Sequence, residues 1–405
     1  MSVKKKIAVV FGGRSIEHEI SVLSALQVID ALDVKNYDIV PVYIAQSGKW
    51  YSGAKLKSKD FYRGLPQTFN QVDEVHFSPA PGVGGLIKKS RTLLGSVKED
   101  VIPVDVYIPV FHGQYGEDGC IQGLFELADV AYAGSSVLAS AVAMNKYICK
   151  KLLGAHGIPV LPGITIKKQE ALVDITGACK IVMQTEGFQK FPLFIKPVNL
   201  GSSVGVSKAN SEAELAAGLA KVFQFDLEAI IEPCITNLME INVSVLERDA
   251  SGNVSQNDVS VVEIPVASGE FLSYEDKYMR EGKGKKGPSS NSLGMAGLTR
   301  VIDPNNLESR FRDGVQKYAG ESYEILQCSG VVRFDFMVDL DSGELYFNEL
   351  NPIPGSLSFY LWDRSNPALL LSDVLDRIIS GSLARYSEKK QLKRDFGFKA
   401  LAPHA

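Results

Sequence analysis

Two neighbouring segments near the C-terminal end of the chain predict a β-hairpin. Val332–Asp339 and Leu345–Pro352 are rich in aromatic and β-branched residues, which is the composition that strands favour. Asp341-Ser342-Gly343 between them is typical of a turn. Two long strands joined this closely indicate an antiparallel sheet in this part of the chain.

Polar side chains interrupt this hairpin at regular intervals. Successive side chains of a strand point to opposite faces, so Arg333, Asp335 and Met337 share one face, as do Glu349 and Asn351 on the returning strand. Carboxylate and amide oxygens suit Mg²⁺, which also takes phosphate oxygens, and a guanidinium beside them would bind a further anion. The hairpin therefore predicts a metal and anion site; a surface hairpin with ordinary polar residues is the alternative.

The composition limits the class of protein. A chain of 405 residues is long enough for two or three domains, and a net charge of −4 gives no basic surface for nucleic acid. Its five cysteines form no CxxC pair, which favours reduced thiols in a cytoplasm over a zinc site. No apolar run approaches the length of a membrane span.

The first part of the chain alternates predicted strands with predicted helices. Strands are expected at Ile7–Phe11, Ile39–Ala45 and Val104–Val110, with a turn-rich stretch over residues 46–100. This alternation predicts a doubly wound parallel sheet ending near residue 145. A helix from about Lys146 then leads into a second unit.

A glycine- and serine-rich loop follows a strand in that second unit. Lys196 lies at the strand end, and the loop runs to Gly205, flanked by a second expected strand at Val204–Val206. Small residues let backbone N–H groups approach phosphate oxygens, and the lysine adds a positive charge. A plain turn is the alternative.

Two further segments are weaker signals. A lysine at a helix start, such as Lys146, is more often solvated than functional. Ile231–Ile235, together with Glu240, is a weak signal for the binding of adenine and ribose.

Two segments lie at the expected carboxyl ends of strands in the first domain. Glu19 follows the glycine turn of the first strand, and His112 opens a glycine-rich loop after the third. Ligands of open α/β sheets bind at such ends, so both side chains could face one pocket, although the histidine could instead cap a helix. Tyr274–Tyr278 precedes a Lys- and Gly-rich stretch at 282–288, which is typical of a mobile lid or of a solvated loop.

These motifs together resemble the D-alanine–D-alanine ligase family of the ATP-grasp superfamily. The resemblance is carried by Phe11–Ser21, His112–Gly119, Lys196–Gly205 and Asn348–Gly355, and it extends over nearly the whole chain. It implies an α/β ATP-grasp fold preceded by an N-terminal doubly wound parallel-sheet domain. The implied units are 1–145, the central 146–232 with the phosphate loop, 233–386 with the metal site and lid, and a charged tail at 387–405.

The resemblance also implies roles for individual residues. ATP would contact Lys146, Lys196, Ser203, Glu232, Pro233, Cys234, Ile235, Glu240, Lys277 and Met337. Two Mg²⁺ ions, with Mn²⁺ as an alternative, would be held by Asp335, Glu349 and Asn351. The catalytic group would comprise a triad of Glu19, Ser202 and Tyr278 at the first amino acid's ammonium, with Arg333 and the Gly355 N–H at the oxyanion. The substrates would contact Glu19, His112, Lys277 and Tyr360.

The implied activity is ATP-dependent synthesis of D-alanyl-D-alanine through an acyl phosphate, for peptidoglycan precursors. The implied protein is a cytoplasmic homodimer that acts on small amino acids and binds neither nucleic acid nor membrane. Ser356 stands where the family usually has a larger apolar residue, and Tyr360 stands where a serine usually anchors the second substrate's carboxylate. These differences motivate the alternative of a ligase with another acceptor (D-lactate, D-serine or another amine). A non-catalytic nucleotide-binding regulator is a separate alternative.

Overall fold

The computed structural model describes residues 3–91, 97–248, 258–266 and 300–394. Within these ranges the strands are β1 (Lys5–Gly12), β2 (Tyr37–Ile44), β3 (Trp50–Ser52), β4 (Asp73–Phe77), β5 (Leu86–Arg91), β6 (Val97–Ile102), β7 (Val106–Val110), β8 (Ile164–Lys167), β9 (Leu193–Pro197), β10 (Ser207–Ala209), β11 (Glu228–Pro233), β12 (Leu238–Leu246), β13 (Asp258–Pro265), β14 (Arg300–Ile302), β15 (Val331–Asp339) and β16 (Glu344–Asn351).

The α-helices of the same ranges are α1 (His18–Ala31), α2 (Lys59–Arg63), α3 (Cys120–Ala128), α4 (Val137–Met144), α5 (Lys146–Ala155), α6 (Lys168–Val173), α7 (Ile175–Gln184), α8 (Glu212–Val222), α9 (Ser309–Ile325), α10 (Phe359–Trp362) and α11 (Leu371–Lys390). Short 3₁₀ turns occupy Ala54–Lys57, Gln67–Gln71 and Gly355–Ser358. None of these helices is long and apolar enough to cross a membrane.

The N-terminal sheet has seven strands in the order β6-β5-β4-β3-β2-β1-β7. β1 pairs in parallel with β2 and β7, as the predicted doubly wound fold requires, while β3 to β6 extend the sheet as antiparallel strands. The predicted turn-rich stretch over 46–100 therefore also contains strands that were not predicted. These strands are short and carry many charges, such as Lys88 and Asp73, whose side chains pair at 2.6 Å, so no apolar periodicity marks them.

A four-stranded antiparallel sheet forms the central unit, in the order β10-β9-β11-β8. Ser211 caps α8, because its Oγ accepts a hydrogen bond from the Glu214 N–H at 3.3 Å, as the sequence predicts. The strand expected at Val204–Val206 instead begins at Ser207. Gly205 has a φ of +75°, a left-handed conformation that no regular strand residue adopts.

The C-terminal sheet contains the predicted hairpin in its order β14-β13-β12-β15-β16, with all neighbours antiparallel. One face is apolar: Phe334, Phe336 and Val243 pack in a core with Val315 of α9. The other face carries the polar side chains of the hairpin. Beyond this sheet, α11 packs against the N-terminal domain and continues to Lys390, which pairs with Asp129 at 2.5 Å, so part of the expected charged tail is helical.

Candidate active site

Strand register arranges the polar face of the C-terminal sheet in rows. Directly paired residues of an antiparallel sheet project to the same side. One row runs from Asn242 through Asp335 to Glu349, and the adjacent row pairs Arg333 with Asn351. The structure thus places these four hairpin side chains together, as predicted. Asn242 was missed because its strand partner, Asp335, lies about 90 residues further along the chain.

A β-bulge at Asn348 lets the hairpin serve both the core and the site. Asp335 pairs with Glu349 but Phe336 pairs with Phe347, so Asn348 has no opposite residue. This extra residue shifts the alternation: Phe347 packs against the ring of Phe336 in the core, while Glu349 faces the site. The Asn348 amide oxygen accepts a hydrogen bond from Lys196 Nζ at 3.0 Å.

The oxygen ligands expected for a metal lie in one polar cluster. Asn351 Nδ2 donates to Asp335 Oδ2 at 3.1 Å, which leaves Asn351 Oδ1 as the oxygen that it can offer to a cation. Within the described ranges no three His, Cys, Asp or Glu side chains form a metal cluster. Two carboxylates and an amide fit a Mg²⁺ ion that completes its shell with phosphate oxygens and water.

The Glu232 carboxylate lies between two buried lysines. Its oxygens contact Lys150 Nζ in a very short ion pair and Lys196 Nζ at 2.7 Å. Burial alone would raise the pKa of Glu232, but the two ammonium groups outweigh burial and bring that pKa to about 2. Burial lowers the pKa of Lys150 to about 8 against the attraction of Glu232. The Glu232 side chain, expected at the adenine, thus orients Lys196.

Most of the other residues expected at the nucleotide line one cleft, whereas Lys146 and Ser203 are not among its lining residues. Asn145 caps α5 by accepting from the Ile148 N–H at 2.9 Å, and this starts the helix so that Lys146 Nζ contacts the Leu200 carbonyl at 2.5 Å and Glu349 Oε2 at 3.4 Å. The cleft is lined by residues that include Lys196, Glu232, Pro233, Cys234, Ile235, Glu240, Met337 and Asn348. Ser203 lies in the phosphate loop with a positive φ of 59°. The role of Lys150 could not be predicted from the sequence, because a lysine within a helix usually faces solvent.

The expected position of Glu19 is wrong, and Glu17 takes its place. α1 begins at His18, which turns the preceding Glu17 inward, where its side chain is 5% exposed and accepts a short hydrogen bond from Ser202 Oγ. Glu19 is exposed on the outer side of the first turn. Of the expected triad, Ser202 thus contacts Glu17 and not Glu19, while Tyr278, like Lys277 and the 282–288 stretch, lies outside the described residues.

A small cavity is lined by residues that lie in, or next to, all three sheets. It is lined by Glu17, His112, Glu117, Gly201, Ser202, Arg333, Glu349, Asn351, Ile353 and Gly355. Glu117, a further residue of the glycine-rich loop, accepts from the Gly113 N–H at 2.6 Å. Its burial, and then the charge of Glu17, raise the pKa of Glu117 to about 8. The cavity is thus lined by acidic side chains together with the Arg333 guanidinium.

His112 contacts this cavity as a neutral imidazole. Its Nε2 lies 2.9 Å from Ser24 Oγ, and its carbonyl accepts from Ser15 Oγ at 2.5 Å. Burial lowers the pKa of His112 to about 4, so the ring is uncharged at neutral pH. Glu17 and His112 follow β1 and β7, which confirms that the carboxyl ends of these adjacent parallel strands meet at one site.

The comparisons with known proteins match this geometry. The family model for the D-alanine–D-alanine ligase N-terminus matches residues 6–135, and the model for the C-terminus matches residues 152–380. The chain belongs to the D-alanine–D-alanine ligase family. The sheet order and the polar hairpin described above are therefore the ATP-grasp fold that the family resemblance implied.

Relatives of the ligase family cover the chain almost end to end. The D-alanine–D-alanine ligase of Heliobacterium modesticaldum is 36% identical over 96% of this chain and 97% of its own length. The VanG D-Ala:D-Ser ligase of Enterococcus faecalis is 31% identical, with a TM-score of 0.72 over 94% of this chain and all of its own. The Bacillus anthracis ligase, solved in complex with ATP, is 25% identical, with a TM-score of 0.62 over 96% of this chain and all of its own.

Proposed function

We propose that this protein joins two D-alanine molecules into D-alanyl-D-alanine with ATP as the energy source. The observation that carries the proposal is the cavity in which Glu17, Arg333, Glu349 and the Gly355 backbone face one another, beside a cleft lined by Lys196 and Met337. An anionic group for an ammonium, a cation for an oxyanion and a nucleotide cleft are the parts that such a ligase needs. The names of its relatives support the same activity.

ATP would occupy the cleft with its phosphates toward Lys146 and Lys196. Asp335, Glu349 and Asn351 would hold Mg²⁺, which supplies positive charge against the phosphate oxygens. In this role Glu349 keeps Lys146 beside the phosphates, since the two side chains lie 3.4 Å apart. Glu232 holds Lys196 in place, because their ion pair spans 2.7 Å.

The reaction would proceed in two substitutions. A carboxylate oxygen of the first D-alanine attacks the γ-phosphorus, ADP leaves, and an acyl phosphate forms. The amine of the second D-alanine attacks the acyl carbon, the C–N bond forms, inorganic phosphate leaves and the amine loses a proton. Glu17 would hold the ammonium of the first D-alanine. Arg333 and the Gly355 N–H would stabilise the oxyanion of the second step.

The wider setting follows the same proposal. The three sheets follow the units 1–145, 146–232 and 233–386 to within one residue, since β11 of the central sheet ends at Pro233, and this supports the expected division into domains. The dipeptide would supply peptidoglycan synthesis in the cytoplasm, and the protein would act as a homodimer on small amino acids, without nucleic acid or membrane as a partner.

A ligase with a different second substrate is the other candidate. Two observations favour it: the similar VanG protein is a D-Ala:D-Ser ligase, and Tyr360 stands at the position where the family resemblance expects a serine. In that case D-serine or D-lactate would compete with D-alanine for the second position.

Incubation with ATP, Mg²⁺ and D-alanine tests the proposal. We expect a product with the mass of D-alanyl-D-alanine, and its loss in Arg333→Ala. Arg310→Ala is the matched control, because Arg310 pairs with Glu308 on the surface, with both side chains about 60% exposed. Absence of the dipeptide, with phosphate release restored only by another amine or hydroxy acid, would replace the proposal with the second candidate.

A further inference from the structure

The central sheet places a lysine and a glutamate side by side at the nucleotide cleft. β11 pairs with β9 so that Ile230 lies opposite Lys196 and Glu232 lies opposite Phe194. Directly paired residues project to the same side, and side chains alternate along a strand, so Lys196 and Glu232 share one face of the sheet. Both side chains line the cleft. A nucleotide in the cleft would therefore meet a cation that already has an anionic partner.

Lys150 completes a buried unit with this pair. Its side chain reaches from α5, and its Nζ contacts Glu232 Oε1 in a very short ion pair, while Lys196 Nζ lies 2.7 Å from Oε2. The side chains of Lys150, Glu232 and Lys196 are 4%, 1% and 8% exposed. Unlike its two partners, Lys150 is not among the residues that line the cleft. Each ammonium thus takes a different oxygen of one buried carboxylate.

The contacts of the Lys196 ammonium leave it a donor for a nucleotide. An ammonium carries three N–H donors. One faces Glu232 Oε2 at 2.7 Å, and another is donated to the Asn348 amide oxygen at 3.0 Å. The third can reach a phosphate oxygen as long as Glu232 Oε1 does not take it.

Lys150 keeps Glu232 Oε1 occupied. Burial lowers the pKa of Lys150 to about 8, but the attraction of Glu232 keeps the ammonium mostly charged at neutral pH. Without Lys150, Oε1 would be a buried acceptor that lacks this donor, which is unfavourable. The Lys196 ammonium already contacts the same carboxylate, so it could close onto both oxygens. Its third donor would then be lost to the nucleotide.

We propose that Lys150 is a positioning residue for ATP: by occupying one oxygen of Glu232, it leaves the Lys196 ammonium a donor for the phosphates. This inference rests on the proposed function, because it concerns the ATP that the reaction consumes. It gives a side chain outside the cleft a part in the affinity for a nucleotide that it does not touch. Lys150 acts through Glu232 alone, so its effect should depend on that carboxylate.

Equilibrium binding of ATP with Mg²⁺, measured by calorimetry without D-alanine, tests the inference. Lys150→Met removes the ammonium and keeps a side chain of similar length. We expect the Kd for ATP to rise by about tenfold to 100-fold, the value of one charge-assisted hydrogen bond. The Kd for adenosine, which has no phosphate, should stay within about threefold. Lys151→Met, on the exposed side of the same helix, is the matched control and should bind both ligands like the wild type.

Removal of the carboxylate as well separates positioning from packing. In Lys150→Met/Glu232→Gln no carboxylate competes for Lys196, so the ratio of the Kd for ATP to that for adenosine should return to within about fivefold of the wild-type ratio. The ratio to adenosine cancels any contact of residue 232 with the base. A loss of ATP affinity that the second substitution leaves unchanged would overturn the inference, because glutamine at position 232 restores no packing at position 150.

The double variant also decides if Lys150→Met alone does not fold. Replacing both members of a buried ion pair usually costs less stability than removing one. Because Lys150 acts through Glu232, a ratio within about fivefold of wild type would then support the inference, and a weaker relative affinity for ATP would overturn it.

The wild type separates failure of the inference from failure of the proposed function. No binding of ATP by the wild type would refute the proposed function itself. Wild-type binding of ATP that Lys150→Met leaves unchanged would refute only the role of Lys150.

Discussion

Arg333 and Asp335, two residues apart on β15, are joined by a two-pronged ion pair. Arg333 Nε lies 2.6 Å from Asp335 Oδ1, and NH2 lies 2.8 Å from Oδ2. Burial disfavours the charge on Arg333, but the Asp335 carboxylate outweighs burial and holds the pKa of Arg333 well above its usual value. These two hydrogen bonds thus hold the charged Arg333 guanidinium in a fixed orientation at the cavity.

Replacing Arg333 with lysine tests whether the geometry matters beyond the charge. Lysine cannot donate to both Asp335 oxygens in one plane, so in Arg333→Lys we expect dipeptide formation to fall by about 100-fold or more, as for other lost oxyanion donors. The nucleotide affinity should change little. Initial rates and ATP binding, with Arg310→Lys as the surface control, measure the two effects; equal losses in both would contradict this role.

The two acidic residues at the start of α1 should behave differently. Glu17 is buried in the cavity and Glu19 is exposed. Glu17→Gln should raise the KM for the first D-alanine by about tenfold to 100-fold, the value of one charge-assisted hydrogen bond, while Glu19→Gln should stay near wild type. Phosphate release against D-alanine concentration measures both. A larger defect in Glu19→Gln would restore the original sequence-based assignment.

Removing the buried carboxylate of Glu232 should destabilise the protein. Glu232→Gln leaves Lys150 and Lys196 without their shared partner, and loss of one member of a buried ion pair typically costs about 3–5 kcal/mol. Lys150→Met should cost less, because Lys196 retains Glu232 at 2.7 Å. Denaturant unfolding measures both free energies, with Lys151→Met on the exposed side of α5 as control. Wild-type stability of Glu232→Gln would show that the carboxylate is not ionised there.

His112 should make the protein less stable in mild acid. Its pKa is about 4 in the folded state against a usual 6.5, so between these values the unfolded chain binds more protons and stability falls as the pH falls. From pH 7 to pH 5 this amounts to roughly 2 kcal/mol. His112→Gln should lack that loss. The raised pKa of Glu117 acts in the opposite direction, so the comparison must be between wild type and variant unfolding curves at both pH values.

The hairpin could be predicted because its alternation is local. Arg333, Asp335 and their apolar neighbours follow a period of two, which a strand converts directly into two faces. The bulge at Asn348 could not be predicted, because it exists only relative to the register of the opposite strand. The sequence shows that polar residues recur along β16. It does not show at which residue the pairing between β15 and β16 shifts by one position.

The errors at the site have the same origin. Glu17 and Glu19 both lie in one motif, and only the start of α1 at His18 decides which carboxylate turns inward. Lys150 and Glu232 are 82 residues apart, and Ser202 and Glu17 are 185 apart. Such contacts depend on how segments that are distant along the chain pack together, so no local sequence pattern can predict them.

Transfer of an oxygen isotope tests the central claim most directly. D-Alanine labelled with ¹⁸O in its carboxylate would be incubated with ATP and Mg²⁺, and the released phosphate analysed by mass. If the carboxylate attacks the γ-phosphorus, one labelled oxygen passes to phosphate when the C–O bond of the acyl phosphate breaks. Phosphate without label, released in the presence of D-alanine, would mean that water attacks ATP and that the protein forms no acyl phosphate.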